Sequence, residues 1–177
     1  MGTLVQYGLD RGAARVALDS PHNRNALSAA LMSELEQRLA DATADPEVRI
    51  VELTHTGGTF CAGADLGEAR QGVDTSRVIA LLRQIVELPK PVVASVDGHV
   101  RAGGMGLVGA CDIVFAGPAS TFAFSEVRLG LAPAMISLTT LPRLSARAAW
   151  PKPRRPSKST CWDAPTASLA TIASARR

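Results

Sequence analysis

Aromatic residues are scarce in this chain of 177 residues, since Phe, Trp and Tyr together make up only 4 %. Proteins that bind single-stranded nucleic acid without sequence preference stack the bases on aromatic side chains, so the composition argues against a nucleic-acid partner. The histidines are also few. His22, His55 and His99 lie far apart and lack the spacing of zinc ligands, so the sequence predicts no metal site.

Cysteines and long apolar runs are equally limited. Cys61, Cys111 and Cys161 form no C-x-x-C pair and are odd in number, which is typical of free thiols in a reducing compartment. The chain opens with no secretory signal, and no apolar run reaches the roughly 18 residues that a transmembrane helix needs. We therefore expect a cytoplasmic protein without a membrane partner.

Acidic residues almost disappear towards the C-terminus. Residues 146–177 contain seven basic residues and one acid, Asp163, so the positive net charge of +3 comes from this part of the chain. Residues 148–177 are rich in Pro, Ser, Ala and Arg and have no apolar period, a composition that predicts disorder. The chain is thus divided into a core, residues 1–147, and an atypical basic tail, residues 148–177.

Short apolar strands alternate with amphipathic helices in the core. Residues 48–54 and 92–96 have strand patterns, whereas residues 28–44 and 78–88 repeat their apolar side chains with helical spacing. This alternation predicts an α/β fold with a partly parallel sheet and helices packed outside it.

A small-residue segment at positions 58–66 is the first candidate site. It follows a predicted strand, and its small side chains would let a ligand approach the backbone. Small residues also mark ordinary turns, and Asp65 could simply cap the next helix. The residues alone leave both interpretations open.

The second candidate is the glycine-rich helix start near Gly103. A helix N-terminus exposes unpaired N–H groups and the positive end of the helix dipole, and both favour negative charge. Glycines 104, 106 and 109 also match G-x-G-x-x-G, with Glu126 at the spacing of a dinucleotide fingerprint. That fingerprint needs its first glycine directly after a strand, whereas residues 97–103 intervene here. A dinucleotide-binding oxidoreductase is therefore a remote alternative.

The third candidate is Glu126, an acid in an otherwise apolar stretch, residues 121–133. Burial disfavours the charged form of a carboxyl group, which suits a residue that must take up and release a proton. The alternative is a surface ion pair between Glu126 and Arg128 or another base.

Together these segments resemble the crotonase family, the enoyl-CoA hydratases and isomerases. The resemblance covers roughly residues 4–148 and includes an early N-R-x-A-L loop, an F-x-A-G-A-D-L stretch and a K-P-V-x-A-x-V-x-G motif. It also includes C-D-I after a glycine-rich helix and F-x-x-x-E-x-x-x-G-x-x-P. These motifs lie, in that order, at residues 23–27, 60–66, 90–98, 111–113 and 122–133. The resemblance implies a spiral of ββα repeats.

The resemblance also implies the chemistry. The carbonyl oxygen of an acyl-CoA thioester would lie between the backbone N–H groups of Ala64 and Gly103, and Glu126 would be the acid–base residue. CoA would enter as part of the substrate, with no further cofactor. By motif position, the residues at the CoA-binding part of the site are Arg24, Ala26, Ala62, Asp65 and Leu66.

Two positions depart from the family pattern. Hydratases usually carry a second glutamate three residues after the second oxyanion position, where this chain has Gly106, and many members place a lysine where this chain has Gly67. A non-catalytic acyl-CoA-binding homologue is therefore an alternative. Members of the family also continue with helices that support a homotrimer or hexamer. We expect that residues from about 148 onward are not the original C-terminus, as after a shifted reading frame, which would disfavour such an assembly.

Overall fold

The computed structural model describes residues 2–69, 75–130 and 132–133. The strands are β1 (Val5–Asp10), β2 (Ala13–Leu18), β3 (Ile50–His55), β4 (Thr59–Cys61), β5 (Val92–Val96), β6 (His99–Arg101), β7 (Ile113–Ala116) and β8 (Thr121–Ala123). The α-helices are α1 (Ala29–Ala44), α2 (Leu66–Ala69), α3 (Thr75–Glu87) and α4 (Gly103–Ala110), and short 3-10 helices cover Pro21–Asn23 and Ser125–Leu129. The predicted α/β alternation is confirmed.

The strands form two sheets. The larger sheet has the order β1-β2-β3-β5-β7, in which β1 and β2 are antiparallel and the other pairs are parallel. The smaller sheet contains β4, β6 and β8, all parallel. Along the chain, a strand of the larger sheet is followed by a strand of the smaller one in the pairs β3–β4, β5–β6 and β7–β8. Helices follow the first two pairs, so the expected spiral of ββα repeats is confirmed.

Helix α1 illustrates how the local sequence builds these elements. Leu31, Leu35 and Leu39 recur every four residues and are completely buried, and burial of one leucine side chain is worth about 1.5–3 kcal/mol. The Ser28 hydroxyl accepts a hydrogen bond from the Leu31 N–H at 3.2 Å and so caps the helix. The helix ends just before Pro46, which disfavours helical geometry in the residue that precedes it.

Several predicted boundaries shift in the structure. The strand expected from residue 48 begins at Ile50, because the Val48 N–H is turned back onto the Asp45 carbonyl at 3.2 Å. Strand β4 begins at Thr59, inside the small-residue segment of residues 58–66, and the connection after Val96 contains the unexpected strand β6. The predictions for residues 148–177 lie outside the described residues. In the described ranges, no helix is long and apolar enough to cross a membrane.

Candidate functional site

Gly63 is pressed against the beginning of helix α4. Its φ is +94°, and a Cβ built on it would lie only 2.6 Å from the Cβ of Ala102 and 3.1 Å from the backbone nitrogen of Gly103. A side chain at position 63 would therefore be strained and would lack space. The small-residue segment therefore packs directly against the start of the glycine-rich helix.

Ala64 and Gly103, predicted as a pair from motif position, lie next to each other. A Cβ built on Gly103 would stand 3.8 Å from the Ala64 nitrogen. Across residues 2–69, 75–130 and 132–133, neither backbone N–H donates to a protein acceptor. Two neighbouring N–H groups with no protein partner, one of them in the first turn of a helix, form an environment that favours an anionic oxygen.

The loop of residues 20–28 supports this arrangement. The Leu27 N–H donates to the Gly63 carbonyl at 2.7 Å, and Leu27 forms a parallel bridge with Ala64. The Ala62 N–H donates to the carbonyl of Arg24 at 3.1 Å. Arg24 and Ala62, both predicted near the CoA, are thus brought together. Ala26, predicted beside them, is 7 % exposed.

Asn25 connects the loop of residues 20–28 to Thr56 and Thr59 through its side chain, although it occupies only the variable position of the N-R-x-A-L motif. The residue is fully buried. Its Oδ1 accepts a hydrogen bond from the Ser20 N–H at 2.6 Å, and its Nδ2 donates to the carbonyls of Thr56 and Thr59 at 3.2 and 2.7 Å. Its φ is +53°, a left-handed value that asparagine tolerates better than most residues. An asparagine in a loop that begins with Ser20 and Pro21 was the only signal available.

Asp65 and Leu66 differ in their surroundings. Asp65 Oδ1 accepts hydrogen bonds from the N–H groups of Gly67 at 2.8 Å and Glu68 at 3.4 Å, and Asp65 Oδ2 accepts one from Asn23 Nδ2 at 3.2 Å. The capping role left open by the sequence is therefore present. Leu66 is 64 % exposed, so its side chain is available for contact with a ligand.

Glu126 lies in the 3-10 helix that follows β8. Strand β8 pairs with β6 so that Arg101 faces Ala123, and the Ala102 N–H donates to the Ala123 carbonyl at 3.1 Å. Glu126 lies three residues after Ala123, whose carbonyl is bonded to Ala102, and Ala102 directly precedes Gly103. The Oε2 atom of Glu126 is buried and has no hydrogen-bond partner among the described residues.

The proposed surface ion pair of Glu126 with Arg128 is not formed in the part of the chain that the structure describes. Leaving a buried acceptor unpaired costs about 1–3 kcal/mol, and native structures leave few such groups without a reason. The unpaired buried oxygen therefore marks Glu126 as a candidate functional group.

The two cysteines within the described ranges are packing residues. Cys61 and Cys111 are both buried and free. Burial raises the pKa of the Cys61 thiol to about 12, and it raises the pKa of the Cys111 thiol as well. Both thiols therefore stay protonated at neutral pH, as expected for small apolar side chains. Among the described residues there is also no cluster of three potential metal ligands.

The glycines of the dinucleotide-like pattern lie inside helix α4 rather than in a turn before it. A Cβ on Gly104 would lie 2.8 Å from both the Cβ and the carbonyl oxygen of Cys61, so this glycine lets α4 pack closely on β4. That role differs from the fingerprint geometry, in which the glycines approach a pyrophosphate between strand and helix.

A separate cleft of about 580 Å³ opens over the larger sheet and is lined by residues that include His55, Ser95 and Phe115. It contains none of the predicted site residues. His55 Nε2 accepts a hydrogen bond from the Asp97 N–H at 3.1 Å, and the imidazole meets the Phe60 ring edge to face at 5.6 Å. These contacts give His55 a structural role between β3, β4 and the turn after β5.

Comparison with known proteins agrees with the fold and the motifs. The profile of the family described as Enoyl-CoA hydratase/isomerase matches residues 9–149. Human Enoyl-CoA hydratase domain-containing protein 2, mitochondrial, is 36 % identical over 144 residues, which are 77 % of this chain and 49 % of that protein. Enoyl-CoA hydratase AKT6-1 of Alternaria alternata is 40 % identical over 129 residues, 71 % of this chain and 43 % of that protein.

The likeness extends to three dimensions. A crystal structure of an enoyl-CoA hydratase from Mycobacterium avium is 56 % identical and superposes with a TM-score of 0.74, covering 83 % of this chain and 62 % of that one. The chain spans about half the length of the curated relatives described above.

Proposed function

The chain belongs to the enoyl-CoA hydratase/isomerase family, and from that premise we propose that it binds an acyl-CoA thioester and stabilises the enolate of that thioester. The observation that carries the proposal is the adjacency of Ala64 and Gly103, whose N–H groups have no acceptor in the described residues. CoA enters as part of the substrate, and the reaction needs no separate cofactor.

The two N–H groups would act on the thioester carbonyl oxygen. When a proton leaves the carbon next to the thioester, or water adds across its double bond, negative charge moves onto that oxygen. Preorganised donors hold this charge without reorganisation, and one such donor is typically worth about 3 kcal/mol. The positive end of the α4 dipole adds to the effect. Small residues at both positions allow the thioester to reach the backbone.

Glu126 would be the acid–base group. Its carboxylate takes a proton from one substrate carbon, the electron pair moves onto the thioester oxygen, and the proton returns to another carbon as the double bond forms in a new position. One carboxylate is enough for this shift. Addition of water is served better by two carboxylates, and position 106 is glycine. We therefore favour isomerisation over hydration.

A second candidate is an acyl-CoA-binding homologue without turnover. Gly106 favours it, because a second carboxylate is absent at that position. In both cases we place the CoA near Arg24, Ala26 and Ala62. The contacts of Arg24 with Ala62 support this placement.

We also propose a cytoplasmic location, whereas the composition of residues 148–177 disfavours the homotrimer or hexamer that is typical of the family. The name of the human relative includes the word mitochondrial. The location of this chain is therefore to be measured by fractionation of cells that produce it. Light scattering of the purified chain measures the assembly.

The test is direct. The purified chain is titrated with saturated acyl-CoAs of several lengths by calorimetry and is then incubated with 2-enoyl- and 3-enoyl-CoAs, with products separated by mass spectrometry and chromatography. Binding with migration of the double bond supports the isomerase. Binding without any product supports the non-catalytic homologue. Absence of binding to every acyl-CoA contradicts the proposal.

A further inference from the structure

Ala102, between β6 and α4, has a backbone conformation that L-residues rarely adopt. Its φ is +46° and its ψ is −119°, values close to those of the first central residue of a type II′ turn, where glycine is usual. Strained non-glycine residues persist only where their surroundings hold them, and they concentrate at functional sites.

The surroundings hold Ala102 from both sides. Its N–H donates to the Ala123 carbonyl at 3.1 Å, and its own carbonyl accepts from the Met105 N–H at 2.9 Å. On the strand side, the Arg101 guanidinium donates to the Val100 carbonyl at 2.9 Å and to the Thr121 carbonyl at 2.7 Å. Because β6 and α4 are both fixed, Ala102 takes up the whole change of direction between them.

The methyl group of Ala102 has a defined place. It lies 2.6 Å from the point that a Cβ on Gly63 would occupy, so the space between positions 63 and 102 holds one methyl group and no more. Gly63 immediately precedes Ala64, as Ala102 immediately precedes Gly103. The methyl group therefore separates the two segments that carry the N–H groups of the candidate site.

We propose that Ala102 is a positioning residue for the enolate site, and that its methyl group sets the separation of the Ala64 and Gly103 N–H groups. This inference rests on the proposed function. A glycine would adopt the same φ and ψ without strain, so the backbone conformation by itself gives no reason for alanine. What alanine adds is the spacer.

The experiment measures ionisation of a bound ligand and needs no turnover. The probe is a 3-oxoacyl-CoA, whose carbon between two carbonyl groups is acidic and whose enolate has its own ultraviolet absorption. The enolate fraction is measured against pH for the wild type and for Ala102→Gly. The matched control is Arg11→Gly, which also replaces a residue of positive φ (+47°) but lies in the turn between β1 and β2.

We expect Ala102→Gly to unfold in urea at a midpoint no lower than that of the wild type, since strain is removed. Its ratio of bound enolate to bound keto form should decrease by a factor of about 10 to 10², the effect that a misplacement of about 1 Å can have. Arg11→Gly should leave the ratio unchanged. An unchanged ratio in Ala102→Gly overturns the spacer role. A wild type that binds the probe without forming enolate contradicts the proposed function instead.

A methyl exchange sharpens the test. Gly63→Ala alone puts a second methyl group into the filled space, whereas Gly63→Ala combined with Ala102→Gly moves the methyl group to the opposite side. We expect the double variant to recover part of the enolate fraction lost by Gly63→Ala. Losses that simply add would mean that the two positions act independently, which overturns the proposed contact.

Discussion

The side chain of Leu27 closes the space beside Gly103: its Cδ1 lies 3.0 Å from where a Cβ of Gly103 would stand. The Leu27 N–H also donates to the Gly63 carbonyl at 2.7 Å. A single buried residue of the early loop thus contacts both segments of the candidate site. The loop and the helix start form one packed unit, and a side chain at position 103 would require Leu27 to shift.

The first prediction concerns that space. Gly103→Val should lower acyl-CoA affinity and turnover together, because the added carbons would press on Leu27 and Gly63 and lie beside the Ala64 N–H that the thioester oxygen would approach. Loss of one oxyanion donor typically costs about 10²–10³-fold in rate. Gly8→Val is the control, since a Cβ at position 8 meets nothing within 4 Å. If Gly103→Val binds acyl-CoA normally, Gly103 serves only to begin the helix.

The second prediction concerns the carboxylate. Glu126→Gln should reduce turnover by about 10²–10⁴-fold, the usual contribution of general acid–base catalysis, while acyl-CoA affinity changes little. Steady-state kinetics and calorimetry measure the two effects. Glu87→Gln is the control, because Glu87 is exposed and paired with Arg83 at 2.8 Å. A Glu126→Gln enzyme that retains most of its rate would exclude this glutamate as the acid–base residue.

The third prediction concerns Asn25. Asn25→Ala should lower the free energy of unfolding by about 3 kcal/mol, because the buried Ser20 N–H and the partly buried Thr59 carbonyl lose the Asn25 side chain as their partner. Urea denaturation measures the loss. Gln37→Ala removes an exposed amide that donates to Asp41 at 2.8 Å and should change stability by less than about 0.5 kcal/mol. Equal effects of the two substitutions would contradict the role given to Asn25.

The fourth prediction concerns alkaline pH. An unfolded thiol loses its proton near pH 9.0, whereas burial holds the pKa of Cys61 at about 12. The folded state therefore retains a proton that the unfolded state releases. The contribution of the buried Cys61 thiol to the free energy of unfolding is thus complete below pH 9.0 and is lost as pH rises towards 12. The slope approaches about 1.4 kcal/mol per pH unit for each such thiol.

The pKa of Cys111 is raised by burial, and that of Tyr7 is raised mainly by burial, so both groups act in the same direction. Cys61→Ala should therefore reduce the slope of unfolding free energy against pH without abolishing it, as measured by urea denaturation from pH 8.5 upwards. An identical slope in the variant and the wild type would contradict the assignment to Cys61.

The long elements were predictable because each carries its own pattern. The leucines of α1 and the valines of β5 define a buried face without reference to any other part of the chain. Two strands of the smaller sheet, β4 and β6, were not predictable in this way. Each is three residues long, too short for an alternating pattern, and each is aligned by parallel pairing with a strand far along the chain.

The candidate site also combines features that the sequence predicts with features that only the fold determines. Ala64 and Gly103 were paired from the order of motifs, and the structure places them side by side. The strain at Ala102 could not be foreseen, because alanine normally signals an unstrained backbone. It arises only once β6 and α4 are both fixed by other parts of the fold.

The donors proposed for the oxyanion belong to the main chain, and one of them already belongs to an alanine, Ala64. Conventional alanine scanning therefore cannot test Ala64, which is already alanine. At Gly103 it would measure the steric effect of an added methyl group and not the role of the N–H group. Replacing one peptide amide by an ester, through semisynthesis, removes a single N–H while keeping every side chain. In this fold, variation by substitution can tune the donors only indirectly, through the residues that hold them.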